Sequence, residues 1–90
     1  MMLMITLDFR QLRDRQDLYQ QLIRQSEGPF AFGDNLDALW DWLTGGMVLP
    51  AHIRLRYLTA HPDPARFYDV ITVMQEAAAS LDGELQITID

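Results

Sequence analysis

The 90-residue sequence contains no cysteine and no lysine. The absence of cysteine excludes disulfides, thiolate metal sites and a cysteine nucleophile, and it is compatible with a reducing cytoplasm. The absence of lysine excludes a lysine nucleophile. The apolar opening, Met1–Leu7, is too short to span a membrane and lacks the basic start and cleavage pattern of a signal peptide. We therefore expect a soluble cytoplasmic protein with one domain, residues 1–90.

Positive charge is also scarce, and the imbalance is local. Seven arginines face thirteen acidic residues, which gives a formal net charge of −6. Charges cancel over residues 1–33, whereas residues 34–50 contribute −3 and residues 51–90 another −3. Direct binding of nucleic acid needs a basic footprint and is therefore not expected. An excess of acid favours a basic protein partner, although solubility alone also accounts for an acidic surface.

Three segments have the pattern of β-strands. Met2–Leu7 is almost continuously apolar, as expected of a strand that is covered on both faces. Apolar residues alternate with polar ones over residues 53–58 and again over residues 85–89, as expected of strands with one wetter face. Because only the first strand is apolar on both faces, we predict that it lies in the middle of the sheet, with the others at its edges.

Helical spacing fills the segments between these strands. The first helix is predicted to begin after an Asp14 cap and to continue to about Ser26. A second helix should begin after a cap at Asp34 or Asn35. It should end at Gly45-Gly46, because glycine adopts the left-handed conformation at little cost. A third should begin at Asp63-Pro64, a cap followed by proline. The order β-α-α-β-α-β, with long helical crossovers, predicts an α/β fold with a small three-stranded parallel sheet and three to four helices.

The second helix carries two different faces. Its apolar residues repeat at i, i+3, i+4 and i+7, which indicates one buried stripe formed by Leu36, Leu39, Trp40 and Leu43. At about 100° per residue, a separate arc roughly 80° wide is formed by Asp34, Asp37, Asp41 and Thr44. The segment contains no arginine that would neutralise these carboxylates, and like charges at this spacing cost a few tenths of a kcal/mol per pair. This arc is typical of a surface that meets a positive partner.

The run Gly-Asp-Asn-Leu-Asp-Ala-Leu-Trp-Asp-Trp-Leu-Thr-Gly, over Gly33–Gly45, closely resembles the barstar family of intracellular inhibitors of barnase-type ribonucleases. The likeness continues more loosely over nearly the whole chain, through an apolar first strand, Gln-Glu-Ala at 75–77 and a closing Ile-Thr-Ile at 87–89. It implies the small three-stranded α/β fold of that family. It also implies that an acidic helix and the loop before it plug the nuclease active site, with carboxylates standing where RNA phosphates would bind.

The resemblance also assigns roles to individual residues. Asp41 matches the aspartate that enters the phosphate site, and Asp37 matches its companion one turn earlier. Helix-end contacts correspond to Thr44 and Gly45, and Glu76 aligns with an acidic contact on the last helix. The remaining residues of the expected partner-binding surface are Ala31, Asp34 and Trp42.

Two positions depart from the family pattern. Ala31 and Gly46 stand where aromatic contacts to the nuclease would be. Aromatic anchors often dominate the energetics of an interface, so their loss weakens the assignment of a particular partner. Trp42 lies off the predicted apolar stripe, and its side chain is either half-exposed at an interface or packed on a neighbouring helix.

The leading hypothesis is a non-enzymatic inhibitor of a basic ribonuclease, with no cofactor, no metal and no small-molecule substrate. A small interaction domain of the same fold, with a partner that is not a nuclease, is the alternative that Ala31 and Gly46 keep open. A small enzyme using Asp37 and Asp41 is the least favoured reading, because no nucleophile or metal-ligand spacing accompanies them. His52 and His61 are isolated and are interpreted as bystanders to any catalysis.

Overall fold

The computed structural model describes residues 1–26 and 35–90. Its elements follow the predicted order, and their bounds are β1 Leu3–Asp8, α1 Arg15–Gln25, α2 Leu36–Asp41, β2 Ala51–Arg56, α3 Tyr68–Ser80 and β3 Leu85–Ile89. A π-helical turn, Trp42–Gly46, continues α2, and short 3₁₀ turns at Leu58–Ala60 and Pro64–Phe67 separate β2 from α3. Among the described residues, no helix is long and apolar enough to cross a membrane.

The three strands form one parallel sheet in the order β1-β2-β3. The predicted class of fold is confirmed, but the prediction that β1 lies in the middle is wrong. The outward-facing residues of β1 include Met4, which is 51% exposed, and Thr6, which is also exposed. The apolar run of β1 therefore covers one face of the sheet, while its other face meets solvent.

β2 can occupy the centre because its polar side chains find partners on β3 and on Asp90, the residue that follows it. His52 Nε2 lies 2.7 Å from Thr88 Oγ1, and Arg54 donates to Asp90 at 3.1 Å. The opposite face of β2 is fully apolar, with Ala51, Ile53 and Leu55 all buried. The alternation predicted for this segment is therefore present, although the strand ends at Arg56. Tyr57 turns the chain away with a left-handed φ of 62°.

The core lies between the apolar face of the sheet and the helices. The sheet contributes Ile5, Leu7, Ala51, Ile53, Leu55 and Leu85, and the helices contribute Leu18, Tyr19, Leu22, Leu39, Trp42, Leu43, Val70, Ile71, Met74 and Ala77. Phe9 and Phe67 add an edge-to-face pair, with ring centroids 5.0 Å apart. Each fully buried side chain of this size stabilises the fold by about 1.5–3 kcal/mol.

The free edge of β1 is closed by a side chain of α1. The Thr6 N–H donates to Gln25 Oε1 at 2.9 Å, and Gln25 Nε2 donates to the Thr6 carbonyl at 2.9 Å. The Gln25 amide thus occupies the positions that a neighbouring strand would use. Edge strands in natural proteins are commonly protected from pairing with other chains, and this pair of bonds has that effect here.

The starts of the two longer helices differ. Asp14 caps α1 as predicted, since its carboxylate accepts from the Asp17 N–H at 3.0 Å. Asp63 forms no side-chain cap bond, so the prediction that it caps the third helix is wrong. Its loop is held by buried His61, whose Nε2–H donates to the Leu12 carbonyl at 2.7 Å while Nδ1 accepts from the Asp63 N–H at 2.9 Å. With both ring nitrogens engaged in this way, His61 has a structural role.

Candidate functional site

The helix α2 begins at a well-formed cap. Asn35 Oδ1 accepts from the Asp37 N–H at 2.8 Å and from the Ala38 N–H at 3.3 Å. Of the two predicted caps, Asn35 is therefore the one used; Asp34 lies outside the described residues, as does Ala31. The cap fixes where the helix starts, and this sets the direction in which every later side chain points.

Asp37 and Asp41 are both exposed, one helical turn apart. Within the described residues, neither carboxylate takes part in an ion pair. At about 100° per residue, each lies about 160° around the helix from Leu39, which is completely buried. The two carboxylates therefore point directly away from the core, as the predicted arc requires.

The helix ends in a wide turn. The Met47 N–H donates to the Trp42 carbonyl at 2.8 Å, an i to i−5 bond typical of a π-helix, and π-turns often occur at functional sites. Thr44 lies half-buried within this turn and donates its hydroxyl to the Trp40 carbonyl at 2.8 Å. The prediction of a left-handed glycine at the helix end is wrong, because Gly83 is the positive-φ glycine of the described chain.

Gly45 is exposed, and nothing in the described fold demands a glycine there. A Cβ built on it would meet no described atom within 4 Å, and its φ is not in the left-handed range. Alanine would favour a helical conformation by about 0.5–1 kcal/mol over glycine. Together with Asp37, Asp41 and Thr44, Gly45 forms what we call the acidic face.

Trp42 is more deeply buried than Trp40. Trp42 is 2% exposed and belongs to the core, so its packing alternative is correct and it offers no side-chain surface to a partner. Trp40 is half-buried. The buried arc is centred on Leu39, with Trp42 about 60° to one side and Leu43 about 40° to the other. Trp40 thereby moves to the margin of the core, beside Asp37.

Two candidates were missed by the sequence reasoning. Trp40 borders the acidic face, and Val48, just beyond the π-turn, is 64% exposed. An exposed apolar residue after a glycine pair carries no periodic signal, so only the structure could find Val48. Glu76 is exposed on α3, the helix against which α2 packs. No described hydrogen bond or ion pair joins Glu76 to α2, and its membership of the same surface stays a prediction.

The chemistry available to the acidic face is that of an acceptor. Two carboxylates, a hydroxyl already bonded to the helix and a bare backbone at Gly45 can accept hydrogen bonds from guanidinium or ammonium groups. Over residues 1–26 and 35–90, no cluster of three or more acidic, histidine or cysteine side chains could hold a metal ion.

Comparison with known proteins points to one family. A family model described as "Barstar (barnase inhibitor)" matches residues 2–89. The chain is also similar to a Bacillus subtilis (strain 168) protein described as "Putative ribonuclease inhibitor YrdF", with 34% identity over 93 residues. That match covers 96% of this chain and 97% of the relative. The likeness therefore extends over nearly the whole length of both sequences.

Proposed function

Because the chain belongs to the barstar family of barnase inhibitors, we propose that it binds a basic barnase-type ribonuclease and blocks the active site with its acidic face. The segment before α2, which contains Ala31 and Asp34, completes the proposed contact. The carboxylates would take the places of RNA phosphates. In line with the cysteine-free sequence, the proposed site of action is the cytoplasm.

The observation that carries the proposal is that Asp37 and Asp41 form no ion pair with any residue that the structure describes. Neither carboxylate is neutralised by a described arginine, and both point away from the core. Asp37 lies in the first turn of α2, where the helix dipole stabilises a negative charge. Asp41 has no such benefit, and repulsion from Asp37 costs a few tenths of a kcal/mol. A cationic pocket on a partner is what would turn this cost into a gain.

The surroundings of these carboxylates also suit an interface. Gly45 lets a partner approach the backbone closely, and the fold itself has no need of that glycine. Trp40 and Val48 supply apolar surface beside the charges. Protein interfaces commonly combine a few aromatic anchors with desolvated charged pairs, which bind strongly when both partners are matched. The proposed role requires binding alone, with no chemical step on this chain.

The alternative partner is a basic protein that is not a nuclease. Gly46 is exposed and has no side chain at the end of the helix, where the family pattern places an aromatic contact. A surface of this kind could remain complementary in charge to a basic protein and no longer bind a nuclease. Inhibition, and not binding alone, must therefore be the measured property.

The test is titration calorimetry and an RNA-cleavage assay with purified barnase and other basic microbial ribonucleases. We expect at least one of these enzymes to bind with one-to-one stoichiometry and to lose activity in proportion. Asp41→Asn should weaken that binding by more than about tenfold, whereas Glu84→Gln, which removes one exposed charge elsewhere, should not. Binding without inhibition would favour the alternative partner. Equal effects of the two variants would show that the acidic face is not the contact.

A further inference from the structure

A second candidate binding site is a cavity lined by arginines. A cavity of about 450 Å³ opens beside the loops that follow β1 and β2, and it is lined by Arg10, Leu12, Arg13, His61, Pro62, Asp63 and Arg66. β1 and β2 are parallel neighbours, so the loops after them meet at one edge of the sheet. None of the lining residues belongs to the acidic face.

The cavity collects arginines in a chain whose net charge is −6. Three of the seven arginines line it, and each forms an ion pair with one carboxylate, that of Asp8, Asp17 or Asp63. Of these carboxylates, only Asp63 lines the cavity itself. Its floor is formed by buried Leu12 and His61, which are 4% and 8% exposed, and both His61 nitrogens are hydrogen-bonded to backbone groups. A volume of this size fits a small organic molecule.

The guanidiniums are positioned by contacts that use only part of their donors. Arg10 donates from Nε and Nη2 to Asp8, and Arg13 donates from Nε and Nη2 to Asp17. Each guanidinium has five N–H donors, so N–H groups without a partner in these bonds remain on both. Arg66 donates Nη1 to the Arg13 carbonyl at 3.2 Å, which ties the two loops together. Carboxylates that clamp one side of an arginine reduce the entropy it loses when its other side binds an anion.

The competing carboxylate is weakly held. Asp63 Oδ2 lies 3.6 Å from Arg66 Nε, and both side chains are about half exposed. Exposed ion pairs of this kind contribute little to stability, so an incoming anion can displace Asp63 from Arg66 at low cost. Forked arginine donors match the oxygens of a phosphate better than any other side chain.

We propose that this cavity binds a phosphate dianion, carried by a small molecule whose organic part lies on Leu12, His61 and Pro62. Arg10, Arg13 and Arg66 bind the phosphate oxygens. The site is independent of the acidic face, so the protein could bind such a ligand whether or not it inhibits a ribonuclease.

Calorimetry with 5′-AMP, inorganic phosphate and adenosine tests the proposal at low ionic strength. We expect AMP to bind saturably at concentrations of about 1 mM or below, and adenosine not to bind. Inorganic phosphate tests whether the ligand is free phosphate or a phosphate carried by an organic molecule. If phosphate binds more weakly than AMP, the organic part contributes to binding, whereas equal affinities would identify free phosphate as the ligand.

Two variants separate the cavity from general charge effects. Arg66→Gln should weaken AMP binding by about tenfold, while Arg24→Gln, an exposed arginine of α1 outside the cavity, should leave it unchanged. Asp63→Asn should strengthen binding, because it removes the competing carboxylate. Both arginines are exposed, and an unchanged unfolding midpoint in each variant will confirm that the fold is intact. The proposal is wrong if AMP and phosphate both fail to bind, or if Arg66→Gln and Arg24→Gln have the same effect.

Discussion

The aspartates of α1 and α2 have different surroundings. In α1, Asp14 accepts from the Asp17 N–H, and Asp17 accepts from both Nε and Nη2 of Arg13. In α2, Asp37 and Asp41 make no ion pair with any described residue. The carboxylates of α1 are used within the protein, while those of α2 are left available to a partner.

This difference separates structural charge from functional charge. A carboxylate that caps a helix contributes about 1 kcal/mol to its stability, so Asp14 needs no further explanation. The repulsion within an exposed pair of like charges on one helix face costs a few tenths of a kcal/mol. Removing acid from α1 should therefore affect folding, and removing acid from α2 should affect binding.

Asp41→Ala is expected to have the largest effect on binding among the variants that test this comparison. If Asp41 enters a desolvated cationic pocket, its removal leaves those cations unpaired and weakens binding by about 2–5 kcal/mol. The free energy of unfolding should stay the same or rise slightly, since the side chain points away from the core and its repulsion from Asp37 is removed. Inhibition assays and urea denaturation of the same variant provide the two numbers. Undiminished affinity for a verified partner would end the assignment of the acidic face.

Gly45→Ala extends the test to a position without charge. An interface packed as densely as a protein interior has no room for an added methyl group, and overpacking costs about 1–3 kcal/mol. In the free protein the methyl group meets no described atom within 4 Å, and alanine should stabilise the helical turn by about 0.5–1 kcal/mol. Binding and stability should thus change in opposite directions. A variant that is more stable and binds equally well would place Gly45 outside the contact.

Asp14→Ala tests the other side of the comparison. The loss of the cap bond to the Asp17 N–H should lower the free energy of unfolding by about 1 kcal/mol and leave inhibition unchanged. Asp63→Ala is the matched control, because Asp63 also precedes a helical segment but forms no cap bond. Its effect should stay within about 0.5 kcal/mol. If both variants lose the same stability, the difference between the two aspartates is not a matter of capping.

Local rules were sufficient for most of the fold. Asp14 could be identified as a cap, and Asn35 as one of two candidates, because a short acceptor side chain before an apolar repeat satisfies the helix's free N–H groups. The order of elements followed from hydrophobic periodicity, and parallel pairing followed from the long crossovers. Asp37 and Asp41 could be placed on one exposed arc because a helix fixes the angle between residues four apart.

What the sequence could not decide depends on contacts between distant segments. Met4 is an apolar residue that is exposed here, so the pattern predicted wrongly that the face of β1 that carries Met4 and Thr6 is covered. The choice between Trp40 and Trp42 depended on the direction from which the core approaches α2, which periodicity does not contain. His61 bonds to the Leu12 carbonyl across 49 positions of the chain, and no local pattern in the sequence contains that contact. The arginine-lined cavity likewise joins two loops that are far apart in sequence.

The smallest expected effect concerns the pH dependence of stability in α1. Hydrogen bonds from Arg13 hold the pKa of Asp17 below its ordinary value of 3.8. Because the folded pKa is lower than the unfolded one, the stabilisation is fully present above about pH 4 and is lost as the pH falls through the folded pKa. Arg13→Gln should therefore be slightly less stable than the wild type near neutral pH, with the gap closing below about pH 4. Urea denaturation across this range measures the effect, with Arg24→Gln, which removes an arginine of α1, as the charge-matched control. A stability difference that stays constant with pH would mean that Arg13 stabilises the fold through packing and not through its ion pair with Asp17.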